Sequence, residues 1–220
     1  MSEHHHPVDI VFGGGRYGLK AAEYLLEKNR DFVVIDESRE CLVKKKLNLP
    51  EFDESAEQSS FKQGSTKELL ELFLQLDPEY IFPTAPIHLA ASLLAEIMEV
   101  KPWNDGINLA LSGLPPKIIL SAGRGSVVVT YNRDGDCLPN CSAPDVCPVT
   151  KIKKPAPMYE MLRFAFPGGF ILKSRYLKPG LGAIMGDELR NMTEWAKNRE
   201  EIVVGTACRC HGVLSSFRRV

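Results

Sequence analysis

Between Val8 and Glu37 the chain reads VDIVFGGGRYGLKAAEYLLEKNRDFVVIDE, and this stretch limits the fold more than any other. A strand-length apolar run, Val8 to Phe12, is stopped by glycines. Gly13, Gly15 and Gly18 then stand in G-x-G-x-x-G spacing, and Leu19, Ala22, Leu25 and Leu26 recur at helical intervals. A second apolar run, Phe32 to Ile35, ends at Asp36. Strand, glycine turn, helix, strand and acid follow in the order that a dinucleotide-binding βαβ unit requires.

Each part of the pattern has a physical purpose. Gly13 can take the backbone angles of a tight strand-to-helix turn, Gly15 lets a pyrophosphate approach the backbone, and Gly18 lets the helix lie close to the sheet. Unpaired N–H groups at the helix start, aided by the helix dipole, make an anion site. The loop Gly13-Gly14-Gly15-Arg16-Tyr17-Gly18 is therefore a candidate cofactor cradle. Asp36 lies 21 residues after Gly15, where a carboxylate accepts hydrogen bonds from ribose hydroxyls. The same charge would repel a 2′-phosphate, so the expected ligand is NAD rather than NADP. Another nucleotide, or S-adenosylmethionine, would use the same acid on its ribose.

The totals narrow the class. A chain of 220 residues with 44% hydrophobic and 25% charged residues is ordinary globular material for one large domain or two small ones. A net charge of −1 offers nothing to nucleic acid or to an anionic membrane surface. No apolar run reaches the length of a membrane span. The polar, acidic start MSEHHHPVD is unlike a signal peptide, so a soluble, cytoplasmic protein is expected. The His4–His6 tract, at a chain end, is a weak metal ligand. A homodimer or a partner protein is compatible with this composition.

Beyond Asp36, residues 41–64 read as a long loop carrying the Lys44–Lys46 run, a solvated face, with a short strand near Phe61 to Gln63. A helix from Ser65 or Thr66 to Leu76 follows, with Glu68 in its first turn and six apolar residues. Asp77-Pro78 ends it, and Tyr80 to Phe82 make a buried strand. Pro86 suits the first position of a helix over 87–100. Thr84, at the end of that strand, falls where an open α/β sheet places its ligand, and is a further candidate cofactor contact. His88 is more simply a partly exposed helix residue. Tyr24 and Lys28 have a Tyr-x-x-x-Lys spacing, but on the helix after the glycine loop, where the pair decorates a face.

Residues 8 to about 100, with GGGRYG, Asp36 and this strand-helix rhythm, resemble the N-terminal nucleotide-binding domain of Trk-type potassium uptake regulators. The glycine loop is also similar to the NAD-binding half of siroheme synthases. The resemblance implies a Rossmann sheet and an NAD-type ligand. The regulator family carries a second acidic motif after the third strand, whereas Gly64-Ser65-Thr66 here has no carboxylate.

The rest of the chain reads as a loop over 101–116 with a helical turn at Asn108 to Leu111. Two β-rich runs flank Gly123-Arg124-Gly125, and a helix covers Met158 to Phe166. An alternating strand runs from Phe170 to Leu177, and a turn at 179–182 leads into a helix over 187–198. A last strand, Glu201 to Gly205, runs straight into Cys208 and Cys210.

The second chemical lead is cysteine. Cys137, Cys141 and Cys147 form C-x3-C-x5-C in a loop full of proline, glycine and aspartate, which has no periodicity of its own. Cys208, Cys210 and His211 form a compact second set. Clustered cysteines in a chain without a secretion signal argue for metal or redox chemistry over structural disulfides. Zinc takes four cysteines, or three and a histidine; an iron–sulfur cluster takes four thiolates, and Cys147-Pro148 echoes ferredoxin runs. The spacing matches neither standard pattern, so zinc, an iron–sulfur cluster and a Cys208/Cys210 thiol pair all stay open.

The expected architecture is α/β: a Rossmann-like, mostly parallel sheet with helices on both faces over residues 7–105, then an α/β half over 106–220 carrying the cysteines. One continuous sheet through both is compatible with the pattern. The expected function is that of an NAD(H)-binding oxidoreductase-like protein with a cysteine-ligated metal. The alternative is a nucleotide- or redox-sensing regulatory module with a structural zinc.

Overall fold

The computed structural model describes residues 7–54, 58–133 and 135–220. The His4–His6 tract, part of the 41–64 segment and Asp134 lie outside the described residues. The fold is mixed α/β, with two sheets rather than one continuous sheet, and seven α-helices among the described residues. The chain divides into two compact units. One comprises residues up to Leu89 together with Ala183–Asp187; the other comprises Ala90–Gly182 and Glu188–Val220.

In the first unit, β1 (Asp9–Phe12) is central and α1 (Arg16–Glu27) returns the chain to β2 (Phe32–Asp36), which pairs parallel to β1 with Phe12 opposite Ile35. All of β1 is buried, as a strand covered on both faces must be. The buried stripe of α1 is Gly18, Ala21, Ala22 and Leu25. It is displaced from the expected Leu19–Leu26 face, and Leu26 is exposed. Small residues set that stripe because Gly18 must lie against the backbone of the turn.

The 41–64 segment is not simply a loop. Residues Leu42–Leu47 form α2, ended by Asn48 in the left-handed region, before β3 (Ser60–Gln63) pairs parallel to β2. The lysines that suggested a solvated run are its outer face; Lys44 pairs with Glu51 and Lys45 with Glu40. Helix α3 (Thr66–Leu76) starts on a capping box, in which Ser65 Oγ accepts from Lys67 N and Glu68 accepts from Ser65 N at 2.6 Å. Its buried face is Leu69, Leu72 and Phe73, narrower than six apolar residues suggested, and Leu74 points to solvent. Strand β4 (Tyr80–Pro83) lies parallel to β1, giving the order β3-β2-β1-β4.

Asp9 anchors this sheet at its N-terminal end. It is fully buried and accepts from Arg30 Nε at 2.6 Å, Arg30 Nη2 at 3.0 Å and Tyr80 N at 2.8 Å, while Arg30 Nη1 reaches Glu79 at 2.8 Å. This ion pair ties the α1–β2 turn to the starts of β1 and β4.

Downstream, helix α4 (Leu89–Ile97) is shorter than the expected 87–100, and Pro86 lies before it instead of opening it. Val100–Pro102 leaves the helix as strand β5, and the presumed loop over 101–116 also contains α5 (Asn104–Ser112). A 3-10 turn at Pro116–Ile118 leads into the hairpin β6 (Ile119–Gly123) and β7 (Ser126–Thr130) around Arg124, which has φ 47° between two left-handed glycines. Helix α6 (Met158–Ala165) precedes β8 (Phe170–Lys173) and β9 (Arg175–Lys178), two strands where one was expected. Strand β10 (Leu181–Met185) stands where a turn was expected to lead directly into the helix. It runs antiparallel to β4, with Ile184 opposite Ile81, and gives way to α7 (Gly186–Ala196).

Strand β11 (Glu201–Ala207) is not the last; it turns into β12 (His211–Arg219). The second sheet, β6-β7-β12-β11-β8, is mostly antiparallel, only β8 and β11 being parallel. The early half of β12 pairs with β7 and its end with β5. Ile107, Val129, Tyr131, Met158, Leu162 and Leu214 lie in the core that α5 and α6 form against this sheet.

Candidate functional site

The glycine loop occupies the β1–α1 turn. Gly13 has φ 108°, and a Cβ there would lie 2.5 Å from Ala85 N; a Cβ on Gly18 would lie 1.9 Å from Gly13 O. A Cβ on Gly14 would meet Cys41 Sγ at 2.4 Å. These three glycines are thus required by the protein's own packing. Gly15 differs: it is exposed, and nothing lies within 4 Å of its added Cβ. Gly15 is also the N-cap of α1, without a side-chain cap and without an acid in the first turn. The uncapped helix start faces open space, the condition under which a phosphate can take the orphan N–H groups. Arg16 and Tyr17 are exposed beside it, the guanidinium 5.4 Å from the ring centre.

Asp36 ends β2 next to the loop. Its Oδ2 accepts from Gly14 N at 2.6 Å and its Oδ1 from Ser38 N at 2.8 Å. A carboxylate has about four lone-pair sites, so two remain for ribose hydroxyls. Thr84 supports the loop from below: its hydroxyl contacts Gly13 O at 2.7 Å and Phe12 O at 2.9 Å. The residues present therefore fit a dinucleotide, with the open backbone at Gly15 and a carboxylate one strand away. Cys41, outside both cysteine clusters, is the residue beneath Gly14 that spacing could not reveal; burial pushes its thiol up.

In the second unit, the two cysteine clusters come together. The β11–β12 turn, Cys208-Arg209-Cys210-His211, is closed by Cys208 N donating to His211 O at 3.0 Å. It carries His211 to within 3.3 Å of Cys137 Sγ, measured at Nε2. Two ligands of one tetrahedral zinc, with Zn–S about 2.3 Å and Zn–N about 2.05 Å, would sit about 3.6 Å apart. His211 Nδ1 lies 2.8 Å from Thr130 Oγ1, which also accepts from Asn132 N at 2.9 Å. With the proton on Nδ1, the Nε2 lone pair faces Cys137, as a ligating imidazole is usually oriented. Burial, with Lys154 nearby, pushes His211 down and so favours the neutral form a metal needs.

Two sulfurs are held in matching turns. Cys208 Sγ accepts from the N–H of Cys210 and of His211, both at 3.3 Å. Cys147 is buried, and although burial pushes its thiol up, hydrogen bonds from Thr150 and from the backbone of Thr150 and Val149 outweigh it, so the thiol is lowered. Amides two and three residues ahead of a cysteine stabilise its thiolate. Cys137 is raised by burial and by the neighbouring Cys141, Cys210 and Cys147 sulfurs, against a hydrogen bond from Asn132. Cys210 is raised by burial and by Cys208 and Cys141, against a hydrogen bond from Lys154.

Among the described residues no three His, Cys, Asp or Glu side chains form a group that could hold a metal ion. The thiols are neighbours rather than a closed ligand shell. Soft donors together with a neutral imidazole suit zinc or an iron–sulfur cluster, and Asn132, 8% exposed, keeps a buried Oδ1 without a partner beside Cys137. The donor types, though not their spacing, fit a bound centre. Thr130 was not legible as a partner of His211, because only the β7–β12 pairing sets the two opposite each other.

Of the other expectations, His88 is half-buried and lies just before α4 rather than on it, and desolvation pushes it down to about 4. No helix among the described residues is long and apolar enough to cross a membrane.

Two family models match the chain: AF_1314_N, the N-terminal domain of an uncharacterized protein, over residues 8–89, and AF_1314_C, the C-terminal domain, over residues 90–220. An uncharacterized protein from Archaeoglobus fulgidus is 51% identical over 215 residues, 96% of this chain and 100% of its own length. The crystal structure of the Bordetella bronchiseptica enzyme WbmG in complex with NAD and UDP matches at 22% identity and a TM-score of 0.30, covering 49% of this chain and 34% of that one. A likeness of that size bears on neither fold nor ligand. The resemblance to Trk-type regulators and siroheme synthases stays one of the glycine-loop motif.

Proposed function

The chain belongs to the family defined by these AF_1314 N- and C-terminal domains, and from that premise we propose that it is an NAD(H)-binding, oxidoreductase-like protein with a cysteine-ligated metal centre. One observation carries the nucleotide half: Gly13, Gly14 and Gly18 are closed by packing, while Gly15 opens the uncapped start of α1 to solvent next to the Asp36 carboxylate. The pyrophosphate would lie on the amides of the loop and the adenosine ribose on Asp36. Binding titrations with NADH, NADPH and S-adenosylmethionine test this. NADH should bind at least tenfold more tightly than NADPH; preference for S-adenosylmethionine would overturn it.

Cys137, Cys141, Cys147, Cys208, Cys210 and His211 would supply the metal ligands, six donors for four positions. Bound there, zinc would act as a Lewis acid or a staple, and an iron–sulfur cluster would carry single electrons. The chain's own part is to lower the Cys147 thiol through the hydrogen bonds of its turn, and to orient Cys208 through its two-amide turn and His211 through Thr130.

A second reading, a nucleotide- or redox-sensing module stapled by zinc, is favoured by that same backbone grip, which suits a structural site. NADH oxidation coupled to a two-electron dye separates the two. Dye reduction that disappears in Cys141→Ser supports the enzyme, and its absence from the metal-loaded wild type supports the sensor.

A further inference from the structure

Beside the cysteine loops lies a cavity of about 190 Å³, lined by Asp145, Lys154, Pro155, Ala156, Pro157 and Arg209. It has room for roughly six waters, too little for a nucleotide but enough for a small oxyanion. Two features make it positive. Lys154 is 9% exposed, and its Nζ donates to Pro144 O and to Cys210, without a carboxylate partner among the contacts described. An ammonium with three donors has one left for the cavity. Arg209 enters from the β11–β12 turn and holds Asp145 at 2.6 Å, an exposed pair of which Asp145 is 78% exposed. Pro155 to Pro157 bring the cavity to the start of α6, where Met158 N already donates to Arg209 O at 3.1 Å and Glu160 stands in the first turn, so the helix end adds little.

We propose that this cavity binds a small oxyanion, a carboxylate or phosphate group, between Lys154 and Arg209. Lys154 spends two of its three donors on Pro144 O and Cys210, and the third has no partner among the described contacts. The exposed Arg209–Asp145 pair is worth little, so an incoming oxyanion can replace Asp145 on the guanidinium. None of its lining residues belongs to the glycine loop, and the site borders the proposed metal ligands, since Lys154 touches Cys210 and Arg209 lies between Cys208 and Cys210.

Calorimetric titration of the full chain with inorganic phosphate, and in parallel with acetate, tests it. Saturable binding of at least one anion is expected, weakened at least tenfold in Arg209→Gln and in Lys154→Met. Phosphate could also go to the start of α1, so binding that both variants leave intact belongs elsewhere and overturns the proposal. So does a wild-type chain that binds neither anion. Arg209 lies in an exposed turn, so Arg209→Gln keeps the test decisive even if the lysine variant misfolds. A preference for phosphate over acetate would name the group; either anion bound with this variant dependence supports the site.

Discussion

Cys137 Sγ lies 3.3 Å from His211 Nε2, although the two residues are 74 positions apart. The contact exists because β12 pairs with β7, His211 opposite Thr130, and Cys137 follows β7 closely in the chain. It joins what the sequence presents as two separate clusters. If these donors hold a metal, protein purified without oxygen should contain about one zinc, or one iron–sulfur cluster, per chain. Cys208→Ser and Cys147→Ser should each lose most of it, whereas Cys41→Ser, in the other unit, should keep it. Elemental analysis with a visible spectrum checks this, and full metal content in Cys208→Ser would refute the assignment.

Arg30 matters through Asp9. Burial holds the Asp9 carboxyl above its ordinary value even against Arg30, so the pair only partly offsets desolvation. Removing the guanidinium leaves a fully buried acid without its partner, which typically costs about 3–5 kcal/mol. Arg30→Met should lower the urea midpoint accordingly. Adding Asp9→Asn should recover part of the loss, and additive losses in the double variant would show that the two residues act separately.

The glycines of the loop should divide by function. Gly13→Ala and Gly18→Ala force a Cβ into backbone at 2.5 Å and 1.9 Å, and Gly13 also requires a positive φ. Both variants should unfold or be strongly destabilised. Gly15→Ala meets nothing in the protein, so its stability should change by less than about 1 kcal/mol while nucleotide affinity falls. Thermal melts beside NADH titrations separate these effects; an unchanged affinity in Gly15→Ala would mean the open face is not used.

His88 predicts a pH dependence. Its pKa is pushed down to about 4 from 6.5 by desolvation, so the unfolded chain takes up the proton first. Its contribution is therefore complete above pH 6.5 and is lost as pH falls from 6.5 toward 4. On the order of 1–3 kcal/mol should disappear across that window, and His88→Gln should flatten the curve. Parallel curves for the two proteins would remove His88 from the account.

The first βαβ unit was legible because its signals are local: glycines spaced for a turn, a helical stripe and an acid after a second strand. Helix α2 was missed because six residues with three lysines show no apolar period. Strands β5 and β12 were missed for another reason. Each is defined by its partner, and Ser215, Ser216, Arg218 and Arg219 do not read as a strand until β7, β11 and β5 are beside them. The cysteines stood out by type, but Thr130 is an ordinary polar residue whose role on His211 arises only from the β7–β12 pairing.

The central claim is that the loop next to Asp36 holds a dinucleotide. Equilibrium NADH binding to wild type, Asp36→Ala and Asp36→Asn tests it most directly. The asparagine variant retains an acceptor for Gly14 N, so it separates loop support from ribose recognition. The account predicts that wild type binds NADH and that Asp36→Ala loses at least tenfold in affinity, about 1.4 kcal/mol. Wild-type affinity in Asp36→Ala would contradict it.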